Sequence, residues 1–215
     1  MIGRTSVSFK STPVTLLCIS VFALVHLLDI LVPAPDGVSL RPFLLYGAII
    51  PNLILDHDQW WRLFTALFLH LDFAHLAFNA VACLIFMSRF EVYLGKARTV
   101  MVFFLSGLAA NLFATVVYAL QGKAFIVALG ASGGIMAILG ASLAVMAVDY
   151  HRTRRLHYIS YLQQIVVIIL LQLVFDLFIT ENSMLVHMLG FLSGLIAGAA
   201  LRFRQIVGGF DSSIR

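Results

Sequence analysis

The chain has 215 residues, of which 61% are hydrophobic and 11% are charged, and its formal net charge is +4. Because a typical soluble domain carries about 25% charged residues, this composition excludes an ordinary soluble protein and predicts a membrane protein. Several apolar runs are each long enough to cross a hydrocarbon core of about 30 Å as a helix.

The apolar runs predict an all-α, polytopic bundle of six transmembrane helices. We place the approximate spans at 14–32, 68–87, 99–120, 124–148, 158–180 and 184–203, within a single domain of residues 1–215. The first run has the basic start of a signal peptide. Its length exceeds the usual apolar region of roughly 7–15 residues, however, so we expect it to be a retained helix.

The basic residues predict the orientation of the bundle and argue against a nucleic-acid surface. Alternating the termini and loops between the two sides of the membrane puts only Arg41, Arg62 and Lys123 on one side. The other side holds Arg4, Lys10, Arg89, Lys96, Arg98, Arg152, Arg154, Arg155, Arg202, Arg204 and Arg215. Because positive charge accumulates on the cytoplasmic side, we expect both termini in the cytoplasm.

The longest predicted connection, residues 33–67, lies on the outer side in this topology. It contains four prolines and then the run "HDQWWRLF" from His57 to Phe64. Trp60 and Trp61 are residues of the kind that settle at the level of the lipid headgroups. We expect this loop to rest in the outer leaflet and to contain short amphipathic helices.

Polar side chains at membrane depth are costly and are therefore candidates for function. His70, His75 and Asn79 fall in the first half of span two, Ser132 early in span four and His187 early in span six. These three spans all begin at the outer face, and at about 1.5 Å per helical residue each side chain lies within roughly 17 Å of it. The sequence thus predicts a hydroxyl, imidazoles and an amide in one layer.

This set of side chains is typical of nucleophilic catalysis. A serine hydroxyl becomes a good nucleophile when a histidine removes its proton, and an amide or imidazole N–H can stabilise the oxyanion that forms. His75 and Asn79 are four residues apart and share a helix face. His70 is expected about 140° away from His75 on the same helix. The metalloprotease pattern H-E-x-x-H does not occur, so we expect no metal and no cofactor.

Glycines predict that spans four and six lie close together. The run "VALGASGGIMAILGAS", Val127 to Ser142, surrounds Ser132 with small residues, which in a membrane helix commonly serve packing alone. Span six has a stripe of small residues and span four has glycines to receive it: Gly190, Gly194 and Gly198 against Gly133, Gly134 and Gly140. His187, three residues before this stripe, would then meet Ser132 as a dyad.

Three runs carry a family resemblance: "WWRLFTALFLHLDFAHLAFN", "GASGGIMAILGA" and "HMLGFLSGLIAG". They resemble the rhomboid intramembrane serine proteases, and the similarity covers all six spans. It implies that Ser132 is the nucleophile and His187 the general base, with His75 and Asn79 stabilising the oxyanion. Its supporting motif positions are His70, Gly130, Gly133, Gly190, Gly194, and Trp61 with Arg62 in the outer loop.

One position departs from the family pattern. An aromatic residue often follows the serine by four positions and stacks on the catalytic imidazole, and here that residue is Met136. A thioether can still pack against a ring, so we expect activity with a less tightly held histidine. No acidic residue aligns as a third member, in keeping with a dyad.

The resemblance implies that the substrates are transmembrane proteins in a lipid bilayer, cleaved in or next to their membrane segments. It favours a bacterial inner membrane, with the active site opening to the outer face. Two other functions stay open: a non-catalytic rhomboid-like protein that binds membrane clients in quality control, and a small transporter with a histidine proton relay. The sequence predicts no nucleic-acid partner and no particular oligomeric state.

Overall fold

The computed structural model describes residues 11–33, 42–178 and 184–211, apart from the side chains at 157, 173–178 and 204–211. Over these ranges the chain is helical, with a single isolated bridge between Ile49 and Ala128. The helices are α1 (Pro13–Leu31), α2 (Pro42–Gly47), α3 (Pro51–Leu55), α4 (Arg62–Thr65), α5 (Phe73–Ala82), α6 (Ser88–Leu94), α7 (Lys96–Leu120), α8 (Ser132–Thr153), α9 (His157–Phe178) and α10 (Met184–Asp211).

Within the described ranges, five helical runs are long and apolar enough to cross a membrane. They are Pro13–Leu31, Phe73–Leu94, Lys96–Leu120, Ser132–Thr153 and Met184–Phe203, the second of which joins α5 to α6 through a π-helical segment. Helix α9 adds a shorter apolar stretch, Tyr158–Gln172. The predicted all-α membrane fold is therefore confirmed, whereas the count of six spans stays a prediction.

Some sequence predictions fall on parts of the chain outside the described residues. They are the end of the fifth span at Thr180, residues 34–41 of the long loop, and the charges Arg4, Lys10, Arg41 and Arg215. The rest of the long loop contains the short helices α2, α3 and α4, as predicted.

Two spans begin later than predicted. Span two, expected from Phe68, begins at Phe73, because the Asp72 carboxylate accepts a hydrogen bond from the His75 backbone N–H at 2.7 Å and caps α5. Span four, expected from Ala124, begins at Ser132. The preceding segment is irregular and is held by backbone hydrogen bonds to the long loop, which satisfy groups that a helix would otherwise pair.

A carboxylate from a neighbouring helix fixes the start of α1. Pro13 occupies the first turn, where the missing N–H of a proline costs nothing. The Glu91 carboxylate of α6 accepts hydrogen bonds from the backbone N–H groups of Val14, at 2.9 Å, and Thr15, at 2.8 Å. Because the N-terminus of a helix carries partial positive charge, this contact stabilises α1 and joins it to α6.

The glycine stripe of α10 lies directly against α8. A methyl group added at Gly190, Gly194 or Gly198 would overlap the backbone of Gly133, Ala137 or Ala141 of α8, respectively. In the other direction, a methyl group at Gly140 would overlap the Phe191 carbonyl of α10. The predicted contact between spans four and six is therefore confirmed, since only glycine lets the two backbones approach this closely.

One glycine of α8 does not belong to this contact. A side chain at Gly134 would meet the ring of Phe103, which lies on α7, so the expectation that Gly134 receives α10 is wrong. The 3.6-residue repeat turns Gly134 away from the face that carries Gly133, Ala137 and Ala141. Gly134 instead allows α7 to approach α8.

Candidate functional site

Ser132 is the first residue of α8 and is half-buried. The expectation that it lies several residues inside a span is therefore wrong, because the irregular segment ends only at Ala131. The first backbone N–H groups of a helix have no partner within the helix, and they carry partial positive charge. The Ser132 hydroxyl thus stands beside backbone donors that can stabilise an anion.

The backbone at Gly130 brings the Ser132 hydroxyl close to the His75 imidazole. Gly130 has φ of +121°, a conformation that side chains rarely adopt. A Cβ atom at this position would lie 3.0 Å from His75 Nε2 and 3.6 Å from Ser132 Oγ. Glycine is therefore required both by the backbone angle and by the space that the imidazole occupies.

The hydrogen bonds around His75 define how its ring can act. Its Nδ1 atom accepts a hydrogen bond from the Leu71 backbone N–H at 3.4 Å, so the neutral ring carries its proton on Nε2. The Nε2–H group, which lies beside Gly130, is then a donor on the side of the site where Ser132 lies. One turn further along α5, the buried Asn79 donates its amide to the His75 carbonyl at 3.0 Å.

His70 precedes α5 and does not lie on it, so its expected position 140° around the helix from His75 is wrong. Its ring is 1% exposed and packs edge-on against the His75 ring, with centroids 5.2 Å apart. The Phe22 ring of α1 also packs against the His70 ring, with centroids 5.3 Å apart. The two histidines are neighbours because the chain bends at residues 69–72, which no helical repeat describes.

Two polar residues of α1 form hydrogen bonds with segments near the site. His26 Nδ1 lies 3.2 Å from the His70 carbonyl oxygen, and Asp29 accepts a hydrogen bond from the Phe43 backbone N–H at 2.9 Å. The sequence favours an interhelical hydrogen bond for His26, and either a position near a span end or an internal pair for Asp29. Asp29 lies near the end of α1 and joins it to α2, whereas His26 joins α1 to the irregular segment before α5.

Helix α10 brings His187 to the start of α8. His187 is 5% exposed and lies in the first turn of α10. The preceding residue, Val186, lies 3.0 Å from the position that a Cβ on Gly133 would take, and Gly190 packs on the Gly133 backbone. Met136, one turn along α8 from Ser132, is buried in the main core. Ser132 and His187 therefore belong to the same end of the same helix pair.

Arg62, next to Trp61 in the chain, holds the long loop together through hydrogen bonds to its backbone. Its guanidinium is 2% exposed and donates to the carbonyl oxygens of Ala48, at 2.8 Å, and Leu45, at 2.9 Å. Burial lowers the pKa of this guanidinium from its ordinary value, and the carbonyl acceptors compensate for the lost water. Trp61 is exposed, and its indole donates to the Tyr46 carbonyl.

The long loop in turn positions the segment that leads to Ser132. Ile49 and Ala128 exchange backbone hydrogen bonds of 2.8 and 3.0 Å, and the Gly130 N–H donates to the Ala66 carbonyl at 2.8 Å. The Arg62 side chain, through Ala48, and the backbone bonds of Ile49 and Ala66 thus connect the long loop to the segment before Ser132.

Two polar residues at this end have no role in the sequence predictions. The Gln172 side-chain nitrogen on α9 lies 3.4 Å from His187 Nδ1. Asn111 on α7 donates its amide to the Leu63 carbonyl at 2.8 Å and so holds the long loop. The depth argument that selected Ser132 and His187 could have found Gln172, since a helix that enters from the opposite face reaches this layer late in its span.

The chain matches the family model of the rhomboid domain over residues 57–204. It is 32% identical to the rhomboid protein YdcA of Bacillus subtilis over 152 residues, which are 71% of this chain and 70% of that protein. It is 31% identical to the rhomboid protease GluP of the same organism, over 70% of this chain but only 28% of GluP.

A more distant relative is the rhomboid protease AarA of Providencia stuartii. This chain is 28% identical to AarA over 151 residues, which are 66% of this chain and 53% of AarA. The match to the family model begins in the long loop, before Trp61, and ends at residue 204, within α10. It therefore contains every residue of the site described above that lies on α5, α8 and α10.

Proposed function

The chain belongs to the rhomboid family of integral membrane proteins, and from this premise we propose that it is an intramembrane serine protease. The reaction is hydrolysis of a peptide bond in or next to a transmembrane segment of a protein substrate. Several relatives are named as proteases, which supports this class of reaction.

The observation that carries the proposal is the contact of Gly133 with Gly190. It joins α8 directly after Ser132 to α10 one turn after His187. A hydroxyl and an imidazole on two helices can form a dyad only if their backbones approach closely at that level. The small residues at this contact allow such an approach.

In the proposed mechanism, His187 takes the proton of the Ser132 hydroxyl as Oγ attacks the scissile carbonyl carbon. The carbonyl electron pair moves onto oxygen, where the His75 Nε2–H, the Asn79 amide and the backbone N–H of Ser132 can stabilise it. His187 then gives the proton to the leaving amine. Water, activated by the same imidazole, releases the acyl group and restores the serine.

The orientation of the protein is part of the proposal. With both termini in the cytoplasm, as the charge distribution predicts, the Ser132 end of α8 lies towards the outer face. Substrates are then membrane proteins whose helix can unwind near that face, because an intact helix hides its peptide bonds. A bacterial inner membrane fits this arrangement.

The test is to replace each member of the dyad in the purified full-length protein. Ser132→Ala and His187→Ala should each abolish cleavage of a model transmembrane substrate and labelling by a fluorophosphonate probe, because neither can form the activated alkoxide. Ser142→Ala is the matched control, since it makes the same change on the same helix at a buried serine ten residues away.

A folded wild-type protein that binds transmembrane clients without cleaving them, and that takes no label, would refute the proposal. That outcome would favour the non-catalytic alternative. Equal labelling of the wild type and Ser132→Ala would show that another residue reacts with the probe, and would also refute it.

A further inference from the structure

Helix α9 contributes one polar contact to the candidate site. The side-chain amide of Gln172 lies beside His187, with Nε2 at 3.4 Å from Nδ1 of the imidazole. Gln172 is half-buried, and His187 is 5% exposed. A hydrogen bond to a buried imidazole affects both where its proton lies and how the ring is oriented.

The proposed reaction requires one of the two neutral forms of His187. To accept the serine proton through Nε2, the ring must carry its own proton on Nδ1, and this N–H group then needs an acceptor. In the serine protease triad a carboxylate accepts that bond and fixes the tautomer. Here the side-chain amide of Gln172 lies in contact with Nδ1.

An amide can supply the same acceptor without a charge. Its oxygen and nitrogen have nearly the same shape, and a half-turn of the Gln172 amide about its last bond places the oxygen where the nitrogen lies. That oxygen would accept from Nδ1–H. After proton transfer from Ser132 it would still accept from the imidazolium, more strongly than from the neutral ring.

We propose that Gln172 is a positioning residue that acts through His187. Its side-chain oxygen accepts the Nδ1–H bond, selects the tautomer with a free lone pair on Nε2, and holds the ring towards Ser132. The proposal rests on the proposed protease function and adds a third member, drawn from α9, to the dyad.

The first test is the kinetics of Gln172→Leu in the full-length enzyme. Leucine keeps much of the volume but has no acceptor, so kcat should fall roughly tenfold while KM stays within twofold, as expected for losing one hydrogen bond that matters after substrate has bound. Gln172→Glu offers a carboxyl oxygen at the same place and should retain most of the wild-type kcat.

Gln163→Leu is the matched control, because it makes the same change at an exposed position of the same helix. It should leave both kinetic constants unchanged. Should Gln172→Leu fail to fold, the comparison of Gln172→Glu with the wild type, together with the spectrum described next, still decides the matter.

The second test detects the proton directly and does not depend on turnover. In a protein labelled with 15N-histidine, a His187→Ala spectrum assigns the ring signals of His187. The wild type and Gln172→Glu should show Nδ1 protonated and Nε2 unprotonated, and Gln172→Leu should show a mixture of the two tautomers.

Each outcome separates this proposal from the protease function. Suppose that the wild type cleaves substrate and takes the fluorophosphonate label, but His187 carries its proton on Nε2. Only the proposed role of Gln172 is then refuted, and the protease function stands. The same holds if Gln172→Leu changes neither kcat nor the tautomer. If the wild type neither cleaves nor takes the label, the protease function itself fails.

Discussion

The two ends of the α8–α10 pair use polar side chains in different ways. At the end near Ser132, which we call the serine end, the half-buried Ser132 lies close to His75 of α5 across Gly130, and Gln172 of α9 contacts His187 of α10. At the other end, which we call the aspartate end, the Asp149 carboxylate of α8 accepts hydrogen bonds from Tyr93 of α6 and Arg202 of α10. The Arg202 guanidinium also lies 5.5 Å from the centroid of the Tyr93 ring.

The comparison separates polar groups that stabilise the fold from those available for chemistry. Tyr93 and Arg202 both donate to Asp149, and the Tyr158 hydroxyl of α9 lies 3.2 Å from that of Tyr93. These contacts join α6, α8, α9 and α10, so the polar atoms involved stabilise the fold. At the serine end, the backbone is held by glycine contacts and by the long loop instead. The side chains of Ser132 and His75 are therefore not needed as ties between helices.

The largest effect is expected from a bulky residue in the contact that both ends share. Gly194→Leu would place a side chain inside the Ala137 backbone, and neither backbone can move without separating α8 from α10. We expect destabilisation of more than about 3 kcal/mol and loss of activity. Unfolding in mixed detergent micelles, followed by circular dichroism, measures it.

Ala199→Leu is the control for this substitution, because Ala199 is exposed on the same helix. Its unfolding free energy should lie within about 0.5 kcal/mol of the wild type. A Gly194→Leu protein as stable as the wild type would contradict the close contact between α8 and α10.

The second effect concerns only the serine end. Asn79→Ala removes a proposed oxyanion donor, so kcat should fall roughly 10²–10³-fold while the protein stays folded. Cleavage of a model transmembrane substrate measures the rate, and circular dichroism measures the fold. Asn52→Ala, which removes an amide that bonds to Asp56 in the long loop, should keep nearly the wild-type rate. Equal rates for both variants would remove Asn79 from the mechanism.

The smallest effect is expected at the aspartate end. Asp149→Ala leaves Tyr93 and Arg202 without a common acceptor, so the unfolding free energy should fall by about 2 kcal/mol. The rate per folded molecule should not change, since this residue lies some 25 Å along α8 from Ser132 at about 1.5 Å per residue. Thermal unfolding measures the loss of stability. Active-site titration with a fluorophosphonate counts the active molecules, from which the rate per folded molecule follows. A large loss of rate in fully folded protein would show that the ends are coupled.

Periodicity and polar residues in the sequence predicted much of this arrangement. The apolar runs located α1, α7 and α10 to within about three residues at their starts, because the bilayer imposes length and hydrophobicity directly on the chain. The spacing of Gly190, Gly194 and Gly198 predicted one smooth face and its partner. The choice of Ser132, His75, Asn79 and His187 as site residues rested on their common depth, on helix and glycine spacing and on the family resemblance, and their chemical roles remain proposals.

Other features depended on contacts that no periodic pattern records. The predicted starts of α5 and α8 are five and eight residues too early, because the apolar residues before Phe73 and Ser132 were assigned to the helices. The Asp72 cap and the backbone bonds from Ile49 and Ala66 decide those boundaries. The proximity of His70 to His75 likewise follows from a bend outside the helix.

The sequence by itself determined that this chain enters a membrane and that the glycine stripe of α10 packs against α8. It also determined which polar groups lie at one depth. These properties are set by the exchange between water and hydrocarbon, which acts on each residue separately. Only the tertiary structure decided where the helix of Ser132 begins, which way Gly134 faces and that Gln172 meets His187. Those outcomes depend on backbone hydrogen bonds and steric fit between segments far apart in the chain, which act only once the helices have packed.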